Sequence, residues 1–376
     1  MSWDGWLAEQ RESRERAGLQ RALRARSVDE DVIDLASNDY LGLSTHPEVR
    51  RATADGALAW GAGSGASRLV TGTTTAHGEL EAELAGFTGR RSALVMSSGY
   101  HANLSAVTAL ADRDALIVSD AHVHASLIDA ARLSRATIQV VPHNGVDAVR
   151  AALDQAGGRR ALVLTESIYS VLGDAAPLPE LAEICAERGA LLLVDEAHGL
   201  GVVGDGGRGL VAGLGEAPQV VMTATLSKSL GAMGGAVLGS EALIDHLVNR
   251  ARPFIFDTAL APAPVAGALA ALRLLRERPE LPQRIHRRAS ELADRLAVSR
   301  SAGAVLSVPM PSPQVALAAQ AAALDAGVRV GCFRPPSVPD GVSRLRITTQ
   351  AGIGDDDWEH AVQALTRVVE QHGGAP

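Results

Sequence analysis

The sequence has no excess of positive charge. Its 35 Lys and Arg against 43 Asp and Glu leave a formal net charge of −8, which argues against a nucleic-acid binder that works through bulk charge. It has little cysteine. Cys185 and Cys332 are the only two, they lie far apart, and they make no metal-type pair. Such sparse usage fits a reducing cytosol better than a disulfide framework. No uninterrupted apolar stretch reaches the roughly 18 residues of a membrane span. The opening Met1-Ser-Trp-Asp-Gly-Trp6 lacks a basic segment followed by an apolar one, so no signal peptide is expected. Internal repeats and low-complexity linkers are also missing.

What is present is a composition for burial. Hydrophobic residues make up 47% and charged residues 21% of 376, enough for one large core and a smaller one in a soluble globular protein. The arginine-dense start (Arg11, Arg14, Arg16, Arg21, Arg24, Arg26) predicts a helix over about 3–26. It reads either as a solvated face or as an edge that draws in an anionic substrate. The segment Ser37-Asn-Asp-Tyr-Leu-Gly-Leu43 is a polar turn, and a helix is predicted from Pro47 to about Trp60. The loop Gly61-Ala-Gly-Ser-Gly-Ala-Ser-Arg68 lacks the lysine of a P-loop and the preceding strand of a dinucleotide fingerprint. A helix over His77–Phe87 is expected to carry Glu79, Glu81 and Glu83 mainly outward.

From residue 92 the chain becomes rhythmic. Apolar strands are predicted at 93–96, 115–119, 136–141, 161–165, 190–194 and 218–224, with helices between them. Short strands that are apolar throughout indicate a mostly parallel α/β sheet covered on both faces. Ligands then bind beyond the carboxyl ends of the strands. Those ends carry Ser98-Gly99-Tyr100 opening a helix, with Asn103 one turn on, then Asp120, His122 and His124. They also carry Ser167–Ser170, Asp195-Glu-Ala-His198, and Thr225-Leu-Ser-Lys228. A helix start suits a phosphate. Lys228, between an apolar strand and the small-residue run Gly231–Ala236, is placed for desolvation, which lowers an amine's pKa and makes it a nucleophile or base. Beyond about residue 258 a smaller α/β unit is predicted, with strands near 303–308, 327–332 and 343–348. Between its strands runs the stiff loop Phe333-Arg-Pro-Pro-Ser-Val-Pro339, flanked by Arg334 and Arg346, either of which can clamp a carboxylate. The expected division is 1–45, 46–258 and 259–376.

An amine, a phosphate cradle, an aspartate and an imidazole are the groups that pyridoxal 5'-phosphate uses. The chain resembles the α-oxoamine synthases, fold-type-I pyridoxal-phosphate enzymes. The resemblance rests on Asn38-Asp-Tyr-Leu-Gly42, Gly63-Ser-Gly-Ala-Ser-Arg68, His77-Gly-Glu-Leu-Glu81, Ser98-Gly-Tyr100, Asp120 with His124-Ala-Ser126, Asp195-Glu-Ala-His198, and Thr225-Leu-Ser-Lys228. It implies that Lys228 holds the cofactor and later moves the α-proton. Asp195 would pair with the pyridinium nitrogen, His198 with the ring oxygen, and His124 would stack on the ring. Ser98, Gly99, Tyr100, Ser170, Thr225 and Ser227 would complete the cofactor site. Arg346 would clamp the amino-acid carboxylate, while Ser337 and Arg21 would contact the acyl substrate. The run Arg334–Pro339 with Arg344-Leu-Arg346 is most similar to the member that condenses L-alanine with a pimeloyl thioester of coenzyme A or an acyl carrier protein. The alternatives are a member that takes glycine, or a non-catalytic partner subunit, which commonly lacks the lysine. A cytoplasmic homodimer with shared sites is implied, without metal, nucleic acid or membrane.

Overall fold

The computed structural model of the chain describes residues 2–16, 19–21, 23–335, 338 and 340–373. It comprises an N-terminal unit, residues 1–32, and a body, residues 33–376. In the first unit the helix runs Trp3–Arg16 and buries none of its residues. It is shorter than the 3–26 expected, and the described residues from Leu19 to Val32 are non-helical. Mean hydropathy along the helix is low and no apolar stripe exists to hold further turns.

The body is built on a seven-stranded sheet. Its strands are β1 (Ser92–Met96), β2 (Ala115–Asp120), β3 (Thr137–Val141), β4 (Arg160–Glu166), β5 (Leu191–Asp195), β6 (Val220–Thr225) and β7 (Gly235–Gly239), in spatial order β1-β7-β6-β5-β4-β2-β3. Five strands from β6 across to β3 pair in parallel. The apolar runs of β2, β4, β5 and β6 follow from burial on both faces, one against the Tyr40–Leu84–Val194 core and the other against the Ala106–Leu127–Val237 core, while the edge strand β3 is largely exposed. The α/β expectation therefore holds, with one correction. The run after Lys228 is not only a glycine turn. Residues 235–239 form a strand inserted between β1 and β6, antiparallel to both. Its small residues are a steric requirement, since a Cβ on Gly235 would lie 2.4 Å from the Ser98 carbonyl oxygen and 2.5 Å from the Gly99 nitrogen.

The carboxyl-terminal part carries a three-stranded antiparallel sheet, order β9-β10-β8, from β8 (Val305–Pro309), β9 (Gly331–Phe333) and β10 (Arg344–Thr348). Helices Pro313–Asp325 and Asp355–Gln371 pack on it around Leu306, Leu345, Ile347 and Trp358. The strand expected over 327–332 is split. Val328–Arg329 pairs in parallel with Ile33–Asp34, and only Gly331–Phe333 joins β10. Glu81 also departs from expectation. It turns inward, where Arg68 donates to both of its oxygens, at 2.9 and 3.2 Å, and the Val95 N–H donates at 2.8 Å. Among the described residues no helix is long and apolar enough to cross a membrane.

Candidate active site

The carboxyl ends of β2, β4, β5 and β6 bring the chemistry together. Lys228 sits in the turn after β6, closed by a Gly231 N–H to Lys228 carbonyl bond of 2.9 Å. Gly231 has φ 57°, and a Cβ there would stand 2.2 Å from the Ser44 nitrogen, so the lysine turn fits tightly against the Asn38–Ser44 segment. Lys228 Nζ lies 2.7 Å from His198 Nε2. His198 Nδ1 is 2.6 Å from the Tyr40 hydroxyl, which donates to Asn38 Oδ1 at 3.0 Å. Arg346 Nη1 donates to the same Asn38 oxygen at 3.1 Å. With the ammonium donating to Nε2, His198 carries its proton on Nδ1 and donates to Tyr40. One polar chain thus runs from the amine to the guanidinium. Burial holds His198 well below the usual imidazole range, with Lys228, Arg346 and His124 adding to the effect, so it is neutral.

Burial likewise lowers Lys228 to about 8, against the opposing pull of Asp195 and Glu166. Asp195 ends β5 and has both oxygens engaged. The Ala197 N–H donates to Oδ1 at 2.8 Å, and Asn103 Nδ2 donates to Oδ2 at 2.7 Å. Asn103 Nδ2 also donates to Ser126 Oγ at 2.9 Å, and Thr223 Oγ1 donates to Asn103 Oδ1 at 2.7 Å. Ser126 Oγ contacts His124 Nδ1 at 2.8 Å. His124 caps its helix, Ala125–Ser134, and burial lowers its pKa.

At the other side of the lysine turn, Ser98 caps the helix Gly99–Leu110 by accepting from the His101 N–H at 3.1 Å. Gly99 lies against Thr225, whose Oγ1 is 2.7 Å from Ser227 Oγ. Tyr100 is exposed and donates to Asp129 at 2.6 Å. Ser170 is brought in through its carbonyl, which accepts from Arg346 Nε at 2.7 Å, and the guanidinium lies over the Phe333 ring, 5.4 Å to its centroid. Ser337 lies outside the described residues, and Arg21 falls in the N-terminal unit.

Likeness to known proteins extends well beyond the site. Residues 30–365 match the family described as aminotransferase class I and II. The chain belongs to the aminotransferase class I and II family. It is 54% identical over 369 residues to the 8-amino-7-oxononanoate synthase of Mycolicibacterium gilvum (strain PYR-GCK), covering 97% of each chain. Its fold is similar to SPT with a PLP internal aldimine, TM-score 0.90 at 30% identity over 99% of this chain and 98% of that one. It is also similar to 8-amino-7-oxononanoate synthase from Francisella tularensis, TM-score 0.77 at 27% identity over 91% and 99%.

The donor set of this aminotransferase-family chain suits a phosphorylated pyridine aldehyde. A helix start, hydroxyls and small residues stand on one side, an anchored carboxylate on the other, and an amine between them. Sequence reasoning passed over three features. Lys228 is the only lysine in 376 residues, visible by counting. Tyr40 and Asn38 form the relay between Lys228 and Arg346, although they were visible only as part of a motif. Glu166 is the third. It ends β4 opposite Asp195, is buried, and its Oε1 has no hydrogen-bond partner. Burial and the adjacent Asp195 hold its pKa well above the usual carboxylate range, despite Lys228 and the His124 and Ser170 N–H groups. Its signal was position alone, the last residue of a strand in Thr165-Glu166-Ser167.

Proposed function

We propose that the chain joins L-alanine to a pimeloyl thioester, releasing carbon dioxide and the free thiol, to give 8-amino-7-oxononanoate for biotin biosynthesis. The observation that carries this reading is the 54% identity to the Mycolicibacterium gilvum 8-amino-7-oxononanoate synthase across 97% of both chains. The cofactor is pyridoxal 5'-phosphate. When bound, it supplies an aldehyde that captures amines and a ring that takes up the electron pair of a deprotonated carbon.

The chain's own residues do the rest. Lys228 holds the cofactor and, once displaced by the amino acid, acts as the base. An amine lowered to about 8 is unprotonated in a sizeable fraction at mildly alkaline pH and can accept the α-proton. His198, neutral and 2.7 Å away, accepts a hydrogen bond from the amine and keeps it aimed. Asp195, fixed by Asn103 and the Ala197 N–H, presents a carboxylate to the ring nitrogen. His124 would lie over the ring. Ser98, Gly99, Tyr100, Ser170, Thr225 and Ser227 line the cofactor site, with the helix start taking the phosphate. Arg346, oriented by Ser170 and Asn38, takes the amino-acid carboxylate through its remaining N–H groups. Ser337 and Arg21 are assigned to the acyl substrate on resemblance alone.

A second copy of the chain completes the assembly. Leu69, Val70, Met233 and Phe256 are exposed on the segments that flank the glycine loop and the lysine turn, which supports a homodimer. The comparison does not favour the glycine-using alternative. Mass spectrometry of the product tests the reading. L-Alanine with pimeloyl thioester is expected to give 8-amino-7-oxononanoate and carbon dioxide, and preferential turnover of glycine with a short acyl thioester would overturn it.

A further inference from the structure

His143 has no part in the reading above, yet both of its ring nitrogens are engaged. Nδ1 lies 3.1 Å from Asp120 Oδ1 and Nε2 lies 2.8 Å from Asp174 Oδ2. Asp120 ends β2 and accepts from the His122 and Asn144 N–H groups, each at 2.7 Å. Asn144 Nδ2 donates to Asp174 Oδ2 at 3.0 Å and to the Ala175 carbonyl at 3.2 Å. His122 stacks on the His143 ring at 4.0 Å between centroids, and Tyr169 meets it edge-on at 4.3 Å. Asp174 belongs to the 167–176 loop. That loop is closed on itself by the bridge between Ile168 and Ala175, by a Tyr169 N–H to Asp174 carbonyl bond, and by a Gly173 N–H to Tyr169 carbonyl bond, the last two at 2.9 Å. Within it stands Ser170, whose carbonyl accepts from Arg346 Nε. Only three residues of a tight loop therefore separate Asp174 from the bond that sets the plane of the guanidinium. A bidentate carboxylate contact depends on that plane.

We propose that His143, bridging Asp120 and Asp174, is a positioning residue for Arg346. It holds the 167–176 loop so that the Ser170 carbonyl turns the guanidinium toward the amino-acid carboxylate. Without the imidazole, two carboxylates would face each other across the gap, and the loop would lose its charged tie to the sheet while keeping those from Asn144. The inference rests on the proposed role of Arg346.

The test is equilibrium binding to the cofactor-loaded protein, read from the cofactor's absorbance, with L-alanine and with ethylamine. Ethylamine has the amine but no carboxylate. His143→Asn and Asp174→Asn are each expected to raise the Kd for alanine about ten-fold while leaving that for ethylamine within about two-fold. In an Arg346→Gln background, His143→Asn is expected to add little further loss. Equal weakening of alanine and ethylamine would mark general support of the site and overturn the inference. So would an additive loss in the Arg346→Gln background. If Arg346→Gln weakens alanine and His143→Asn does not, the inference falls and the Arg346 reading stands. If Arg346→Gln leaves alanine binding unchanged, the Arg346 reading itself falls. Both aspartate-bridge variants are checked for an intact thermal transition, and Asp174→Asn carries the test should His143→Asn fail to fold.

Discussion

Asn103→Ala is the most informative single change to the buried site. The side chain is 2% exposed and makes three bonds at once, to Asp195, Ser126 and Thr223, which are themselves buried. Truncation leaves Asp195 Oδ2 without its donor at the strand end. It also removes the acceptor from Thr223 Oγ1 and the donor to Ser126 Oγ. A bond to a charged acceptor contributes about 2 kcal/mol and each neutral bond about 1 kcal/mol, so the loss should approach ~4 kcal/mol. Rotation of the two hydroxyls or entry of a water reduces this, but the figure stays a large part of the ~5–15 kcal/mol that holds a domain folded. Urea unfolding of the cofactor-free protein measures it directly, as a lower midpoint at unchanged slope. Cofactor affinity should fall alongside, about ten-fold, because Asp195 loses the group that aims it. Asn103→Asp should be worse than alanine, since it sets a second carboxylate beside Asp195. A loss below about 1 kcal/mol for alanine, with cofactor affinity intact, would refute the claim that Asn103 organises the site.

Borohydride treatment of the cofactor-loaded protein should fix one cofactor per chain, and peptide mapping should find it at Lys228, the one lysine. Lys228→Ala should abolish both the label and turnover. Gly235→Ala should cost on the order of 2 kcal/mol and weaken cofactor binding, because its Cβ meets the backbone of Ser98 and Gly99; thermal melts and cofactor titration would check both. Burial works against charge on His143, but the hydrogen bonds and fields of Asp120 and Asp174 prevail, and its pKa is raised. A raised imidazole pKa contributes stability that is full below the unfolded value of about 6.5 and is lost as pH rises through the folded value. The stability gap between the parent and His143→Asn should accordingly be widest below pH 6.5 and close above it. A gap that widens with pH would show that the ring is bound neutral.

Six of the seven main strands could be read from sequence, five because burial on both faces favours unbroken apolar runs, as in Leu191–Val194, and the exposed edge strand Thr137–Val141 through its β-branched residues. The seventh could not. Gly235-Ala-Val-Leu-Gly239 is too rich in glycine to read as a strand, and the reason for that composition is a neighbour 137 positions earlier, the Ser98–Gly99 backbone. The first helix was over-extended for the opposite reason. Good helix formers continue past Arg16, but no apolar stripe accompanies them. At the site, Lys228, Asp195, His198 and His124 stood out as candidates because each lies at the end of a strand or in the turn that follows it. Asn38, Tyr40 and Arg346 come from opposite ends of the chain, and only the folded structure brings them into one hydrogen-bond chain. Glu166 was hidden by its chemistry. An acid at a strand end reads as a solvated turn residue until its burial is known.

The inserted strand Gly235–Gly239 has a consequence for how such a protein can diversify. It joins the lysine turn and the helix start at Ser98 through a continuous hydrogen-bonded ladder, so the spacing between the amine and that helix start is a property of the sheet. Mutation cannot tune that spacing without unpicking the whole framework. The contacts to Arg346 come instead from three short pieces, the polar turn at Asn38, the 167–176 loop and the antiparallel sheet near the carboxyl end. A lineage seeking a new amino-acid partner would rewrite the pieces around Arg346 and inherit the rest unchanged, like a lathe that keeps its bed and swaps its chuck.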